Sequence, residues 1–210
     1  MNISEFENFL LDTPKRIVLL ANGPSLNEYQ RQEDDILFGT NRIYLKYPDV
    51  DFYTVVNPIL IAQFNKEIEK RVKTDYRFIP EGYEDYITGI TFPITLIPTF
   101  SLNPAYGIYE GGTVTYVALQ LLYFMGAQKV YIYGLDHSYI FNGEPNEQIL
   151  MRDDDPNHFD KNYFKDMYWN APDLELSEKA YRLANETYNK AGRKIINATR
   201  GSKCTIFAKD

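Results

Sequence analysis

The 210 residues contain one cysteine and two histidines. Cys204 alone cannot build an intrachain disulfide framework, and it suits a reducing, cytoplasmic compartment. Cations are also short: 22 Lys and Arg stand against 29 Asp and Glu, for a formal net charge of −7. That deficit argues against general nucleic-acid binding, which needs a cationic surface, yet leaves room for a local pocket holding one nucleotide phosphate. No apolar run is long enough to span a bilayer, and residues 1–14 lack a basic stretch followed by an apolar core. Peripheral membrane association and homo-oligomerisation are left open. Two familiar phosphate-binding signatures are absent: there is no loop ending in Gly-Lys-Ser/Thr and no Gly-x-Gly-x-x-Gly. His137 and His158 lack the close helical spacing of a metal pair.

What is present begins at residues 16–27. Residues 17–21 form a continuous apolar run, β-branched at its start, that suits a strand covered on both faces. It breaks into Asn22-Gly23-Pro24-Ser25. Glycine permits close backbone approach, proline fixes φ, and serine is a good cap for a following helix. A buried strand entering a short glycine turn is where open α/β sheets bind nucleotides. An ordinary strand-to-helix turn explains the segment about equally well.

Residues 2–12 read as a short amphipathic helix stopped by Thr13-Pro14. Strands are expected at 36–38 and 52–56, running into Thr40-Asn41-Arg42 and Asn57-Pro58. Asn22, Asn41 and Asn57 thus follow three strands. One such amide is usually a turn former, but three suggest a lined pocket, because an amide both donates and accepts. A helix is expected over 58–72 and strands at 76–79 and 94–97, with irregular surface segments at 80–93 and 98–107. The clearest helix spans 112–125, with one apolar face through Val114, Val117, Ala118, Leu121, Leu122 and Met125. Gly111-Gly112-Thr113 opens it, and its free amides make an anion site. A strand at 129–133 ends in Gly134-Leu135-Asp136-His137, which should emerge on the same sheet edge as Asn22. Residues 140–172 are polar but rich in aromatics, which points to a docked segment. A second long helix is expected at 174–191, with strands at 194–196 and 204–207. Alternating strands and helices give one α/β, Rossmann-like domain over 1–210, with a mostly parallel sheet, helices on both faces and an inserted lid-like segment at about 138–172.

Asn22-Gly23-Pro24-Ser25, Thr40-Asn41-Arg42, Gly111-Gly112-Thr113-Val114, Gly134-Leu135-Asp136-His137, Asp155-Pro156-Asn157-His158-Phe159 and Asn197-Ala198-Thr199-Arg200-Gly201 together resemble the 6-hydroxymethylpterin diphosphokinase-like family. The strand into Asn-Gly-Pro-Ser, the later strand-end asparagines and the Gly-Thr helix are also similar to the bacterial family-42 sialyltransferases, which are Rossmann-like, metal-independent and use a cytidine monophosphate (CMP) sugar. That second resemblance implies donor contacts from Asn22, Gly23, Pro24, Ser25, Asn41, Asn57, Gly112, Thr113 and Asp136, with Tyr139 as a phosphate partner. It also implies a histidine base, here His158, and no required cofactor. The first resemblance implies instead ATP, a pterin alcohol, and magnesium on Asp136 or Asp155.

Three functions follow as expectations: a glycosyltransferase in surface-polysaccharide assembly, a magnesium-dependent diphosphokinase, and a non-catalytic nucleotide- or sugar-binding module. A triphosphate needs more charge compensation than a sugar monophosphate, and Arg42 and Arg200 are the few cations near strand ends, which favours the transferase. No nucleophile–base pair is visible in the sequence, so the binding module stays open.

Overall fold

The computed structural model describes residues 1–210. Ten strands and three α-helices follow in chain order: β1 (Arg16–Leu20), β2 (Asp35–Thr40), β3 (Phe52–Thr54), α1 (Pro58–Arg71), β4 (Arg77–Pro80), β5 (Ile90–Phe92), α2 (Val114–Phe124), β6 (Lys129–Tyr133), β7 (Gln148–Met151), β8 (Met167–Asn170), α3 (Leu174–Lys190), β9 (Lys194–Asn197) and β10 (Ala208–Lys209). Eight strands form one sheet in the order β10-β9-β6-β1-β2-β3-β4-β5, and every pairing in it is parallel. The fold is therefore the expected Rossmann-like α/β arrangement. β7 and β8 form a separate antiparallel ribbon.

Strand alternation divides the interior into two cores. Ile17 and Leu19 of β1, Phe38, Phe52 and Phe78 join α2, α3 and the N-terminal segment on one face. Val18, Leu20, Leu37, Tyr53 and Ile79 join α1 and residues Phe159, Tyr163, Phe164 and Trp169 on the other. α2 departs from the expected single apolar face, because nearly all its residues are buried. Its polar side is covered by the loop before it: Gln120 accepts from the Ser101 amide (2.9 Å) and donates to the Tyr109 carbonyl (2.9 Å). Gly126 follows in the left-handed region (φ 92°), as a closing glycine should.

Three expected elements take other forms. Residues 2–12 yield only a 3₁₀ turn, Ile3–Phe6, since Asn8 is left-handed (φ 59°) and the amides of Asn8 and Leu10 bond to the Phe124 and Met125 carbonyls at the end of α2. Residues 94–97 form no strand: β5 precedes them, Leu96 and Ile97 are exposed, and Ile94 only bridges Ile108. Near the C-terminus β10 begins at Ala208, while Cys204 and Phe207 pack three residues apart instead of alternating.

At the N-terminal ends of β1 and β2, in register, Arg16 grips Asp35 through Nε–Oδ1 (2.6 Å) and Nη2–Oδ2 (2.8 Å). The Tyr29 hydroxyl and the Gln32 amide also donate to Asp35 Oδ2 (2.6 and 2.9 Å). No helix is long and apolar enough to cross a membrane.

Candidate functional site

The strand order reverses at β1: β2 to β5 lie on one side, and β6, β9 and β10 on the other. Ligands of open α/β sheets bind at such a point, outside the carboxyl ends of the strands. A cavity of about 460 Å³ lies there. Asn22 and Gly23 after β1, Asn41 after β2, Asn57 after β3, Gly112 and Thr113 before α2, and Tyr139 and His158 from the inserted segment all line it. Pro24, Ser25 and Asp136 do not, although sequence reasoning placed them with the donor.

The reason lies in the turn itself. The Ser25 hydroxyl (2.7 Å) and amide (3.3 Å) donate to the Asp136 carboxylate, locking the loop after β1 to the loop after β6. Gly23 donates its amide to the Gly134 carbonyl (2.9 Å). A Cβ on Gly23 would lie 2.1 Å from Asp136 Oδ2 and 2.7 Å from Gly134 O, so the glycine serves close approach. Gly23→Ala is expected to destabilise the protein by about 1–3 kcal/mol, the cost of overpacking a tight site. An unchanged urea midpoint would show that the turn can give.

Two of the three asparagines are occupied internally. Asn22 donates to Thr40 Oγ1 (2.8 Å) and accepts from the Tyr163 hydroxyl (3.0 Å), while its carbonyl accepts from the Phe159 amide. It thereby docks the inserted segment on the sheet edge. Asn57 caps α1, accepting from the Ile59 and Leu60 amides, and donates to Asn170 Oδ1 (3.1 Å). Asn41 differs. It sits in the left-handed region (φ 52°), and its Oδ1 is buried with no partner in the protein. An unpaired buried acceptor beside a cavity is costly unless a ligand donor meets it.

Gly111 and Gly112 both have positive φ (59° and 72°), which carries the chain into α2. Thr113 caps the helix by accepting from the Thr115 amide, and its hydroxyl lies 3.2 Å from that of Tyr181. The amides of Gly112 and Val114 have no acceptor within the protein, so they are free to donate to an anion.

His158 is held by an arrangement that the sequence did not suggest. Its Nδ1 lies 2.8 Å from Asp155 Oδ2, and its ring stacks on Tyr163 with centroids 4.2 Å apart. A carboxylate only accepts, so Nδ1 carries the proton. Nε2 has no bond to the protein and is left as the basic nitrogen. Asp155 is itself buried, and its Oδ1 accepts from the Asn157 amide (2.9 Å). Asp136 and Asp155, the two carboxylates implied as magnesium ligands, are thus committed elsewhere. His137 lies outside the cavity, with Nε2 3.2 Å from Glu178. Cys204 lies outside the cavity, and burial pushes its thiol up.

Sequence reasoning missed Glu110, Asn146, Trp169, Asn170, Asp173 and Tyr181, which also line the cavity. Only Glu110, next to Gly111-Gly112, carried a local signal. The rest arrive through the ribbon and α3. No lysine or arginine lines the cavity. Arg42, one of the few cations near strand ends, is buried: it bonds to the Tyr163 carbonyl, lies 3.3 Å from Glu67, and stacks 3.9 Å above the Phe64 ring. It clamps the inserted segment.

No family model matches the chain, and no curated protein matches it either. Solved structures do share its architecture. The sialyltransferase CstII from Campylobacter jejuni in complex with the substrate analogue cytidine-5'-monophosphate aligns over 94% of this chain and 85% of its own, with a TM-score of 0.56 and 16% identity. The same enzyme with CMP-3FNeuAc aligns over 93% and 84%, with a TM-score of 0.53 and 15% identity. A point mutant of the α-2,3/8-sialyltransferase CstII gives 93% and 86%, with a TM-score of 0.54 and 14% identity. At these identities the chain shares with the sialyltransferases a Rossmann-like fold along nearly its full length.

Proposed function

We propose that this protein is a glycosyltransferase that uses a nucleotide-activated sugar, a CMP-sugar foremost, in the assembly of a surface glycan. The observation that carries the reading is the Asp155–His158 pair, which leaves one basic ring nitrogen at a cavity that also receives the free amides opening α2. In the reaction an acceptor hydroxyl attacks the anomeric carbon. The new C–O bond forms as the glycosyl–phosphate bond breaks, and its electron pair leaves on the phosphate oxygen. His158 Nε2 takes the acceptor proton, and Asp155 stabilises the resulting imidazolium. The leaving phosphate meets the Gly112 and Val114 amides and the hydroxyls of Thr113 and Tyr139. Asn41 Oδ1 is a suitable acceptor for an exocyclic amino group of a base, such as that of cytosine.

This chemistry fits a cavity without Lys or Arg better than triphosphate chemistry does. The magnesium that a diphosphokinase would use does not fit the carboxylates present. Asp136 is bonded to Ser25 and Asp155 to His158, and no three His, Cys, Asp or Glu side chains gather closely enough to hold a metal ion.

Calorimetric titration with cytidine, uridine, guanosine and adenosine nucleotides, with EDTA and then with Mg²⁺, tests the proposal. A cytidine nucleotide should bind equally well under both conditions. Binding that appears only with Mg²⁺ would favour the diphosphokinase, and failure of every nucleotide would remove the transferase reading. Donor turnover then separates an enzyme from a binding module.

A further inference from the structure

Glu110 is the carboxylate that the transferase mechanism leaves unused. It lines the cavity immediately before the Gly111-Gly112 turn, half-buried, and burial alone raises its pKa, with no hydrogen bond or charge to oppose that effect. The other titratable groups facing the cavity are Asp173, His158 and the tyrosines Tyr109, Tyr139 and Tyr181. Asp173 is occupied in capping α3 through the Leu176 amide (2.9 Å), and Nδ1 of His158 is held by Asp155. None of the cavity's cationic needs are met by Lys or Arg. A half-buried carboxylate that lines a cavity and has no partner in the protein is open to a ligand that supplies donors.

The donor's phosphate is anionic and belongs with the α2 amides, which leaves Glu110 to hydroxyl or amino groups, and the acceptor must bring such a group into the cavity to react. We propose that Glu110 is a specificity-determining residue that receives the acceptor through hydroxyl or ammonium hydrogen bonds, so that the acceptor is a neutral or amine-bearing glycan and not an acidic one. This assignment rests on the transferase reading for the word acceptor. The chemistry at Glu110 can nonetheless be measured independently of it.

The test uses the full chain, with and without CMP, and three probes: the methyl glycosides of glucosamine, glucose and glucuronic acid, titrated by ligand-observed NMR. For the wild type the order should be amine, then neutral, then acid. Glu110→Gln should narrow the spread between amine and acid by about tenfold, the size of one charge-assisted hydrogen bond. A second readout needs no ligand. The folded carboxyl has a raised pKa, so its burial penalty is absent below the ordinary value of 4.5 and is fully present above the folded value. Glu110→Gln should therefore raise Tm at pH 7.5 and leave it unchanged at pH 4. Equal binding of the glucuronide and glucoside, or an order that survives Glu110→Gln, overturns the assignment, as does an unchanged Tm at pH 7.5. If no nucleotide binds but the sugar order holds, the transferase reading fails while the carboxylate site stands.

Discussion

Replacing His158 with alanine should cut turnover by about 10²–10⁴-fold while leaving the nucleotide dissociation constant nearly unchanged. The expectation follows from geometry, not from the mere presence of a histidine. Asp155 fixes Nδ1, Tyr163 fixes the ring plane, and Nε2 is left without a partner in a residue that lines the cavity. Because the ring stacks on Tyr163 and touches Phe164 and Trp169 edgewise, alanine also removes packing. Asp155→Asn is the companion variant, since it keeps the volume and removes only the charge that orients the imidazole. It too should lower turnover, with the pH dependence of kcat/KM altered and nucleotide affinity retained. If both variants turn over normally while remaining folded, the pair is structural, and the base lies elsewhere.

Asp35→Ala should destabilise the fold by about 3–5 kcal/mol, the cost of removing one partner from a buried ion pair. Asp35 is 5% exposed and receives four hydrogen bonds, from Arg16 twice, Tyr29 and Gln32. Removing it strands the Tyr29 hydroxyl in the core and frees the ends of β1 and β2. The same site sets an acid limb. Burial alone would raise the Asp35 carboxyl, but the bonds from Arg16, Tyr29 and Gln32 outweigh burial and hold it below its ordinary value of 3.8. The unfolded chain then takes the proton first as pH falls. The stabilisation is complete above that ordinary value and disappears as pH drops through the lower folded value. Urea unfolding at pH 7 and at pH 3 should show wild type and Asp35→Ala converging at the lower pH. Parallel curves would mean that Asp35 contributes by shape alone.

Local pattern determined much of the architecture. The apolar run of β1, the 3.6-residue periods of α1 and α3, and the glycine punctuation around α2 depend on neighbours within a few residues, and each appears close to where the sequence placed it. The Asn-Gly-Pro-Ser turn and the Gly-Gly-Thr helix start meet at one sheet edge, since parallel crossovers return every strand end to the same side. Segments whose backbone bonds are completed by distant chain were not legible. Residues 2–12 gave up a helix because the end of α2 offered their amides acceptors, and residues 94–97 lay beyond the sheet's edge strand.

The chemistry of the site divides along the same line. Sequence supplied the residue types: asparagines after strands, a threonine cap, one histidine in an aromatic-rich segment. Tertiary structure assigned their work. It spent Asn22 and Asn57 on docking and capping, turned Arg42 away from the cavity, tied Asp136 to Ser25, and joined Asp155 to His158. Each is a side-chain hydrogen bond set by where the inserted segment and the strand-end loops meet. A group with two competing partners takes the one that packing brings within about 3 Å, and that choice is made by the folded chain as a whole.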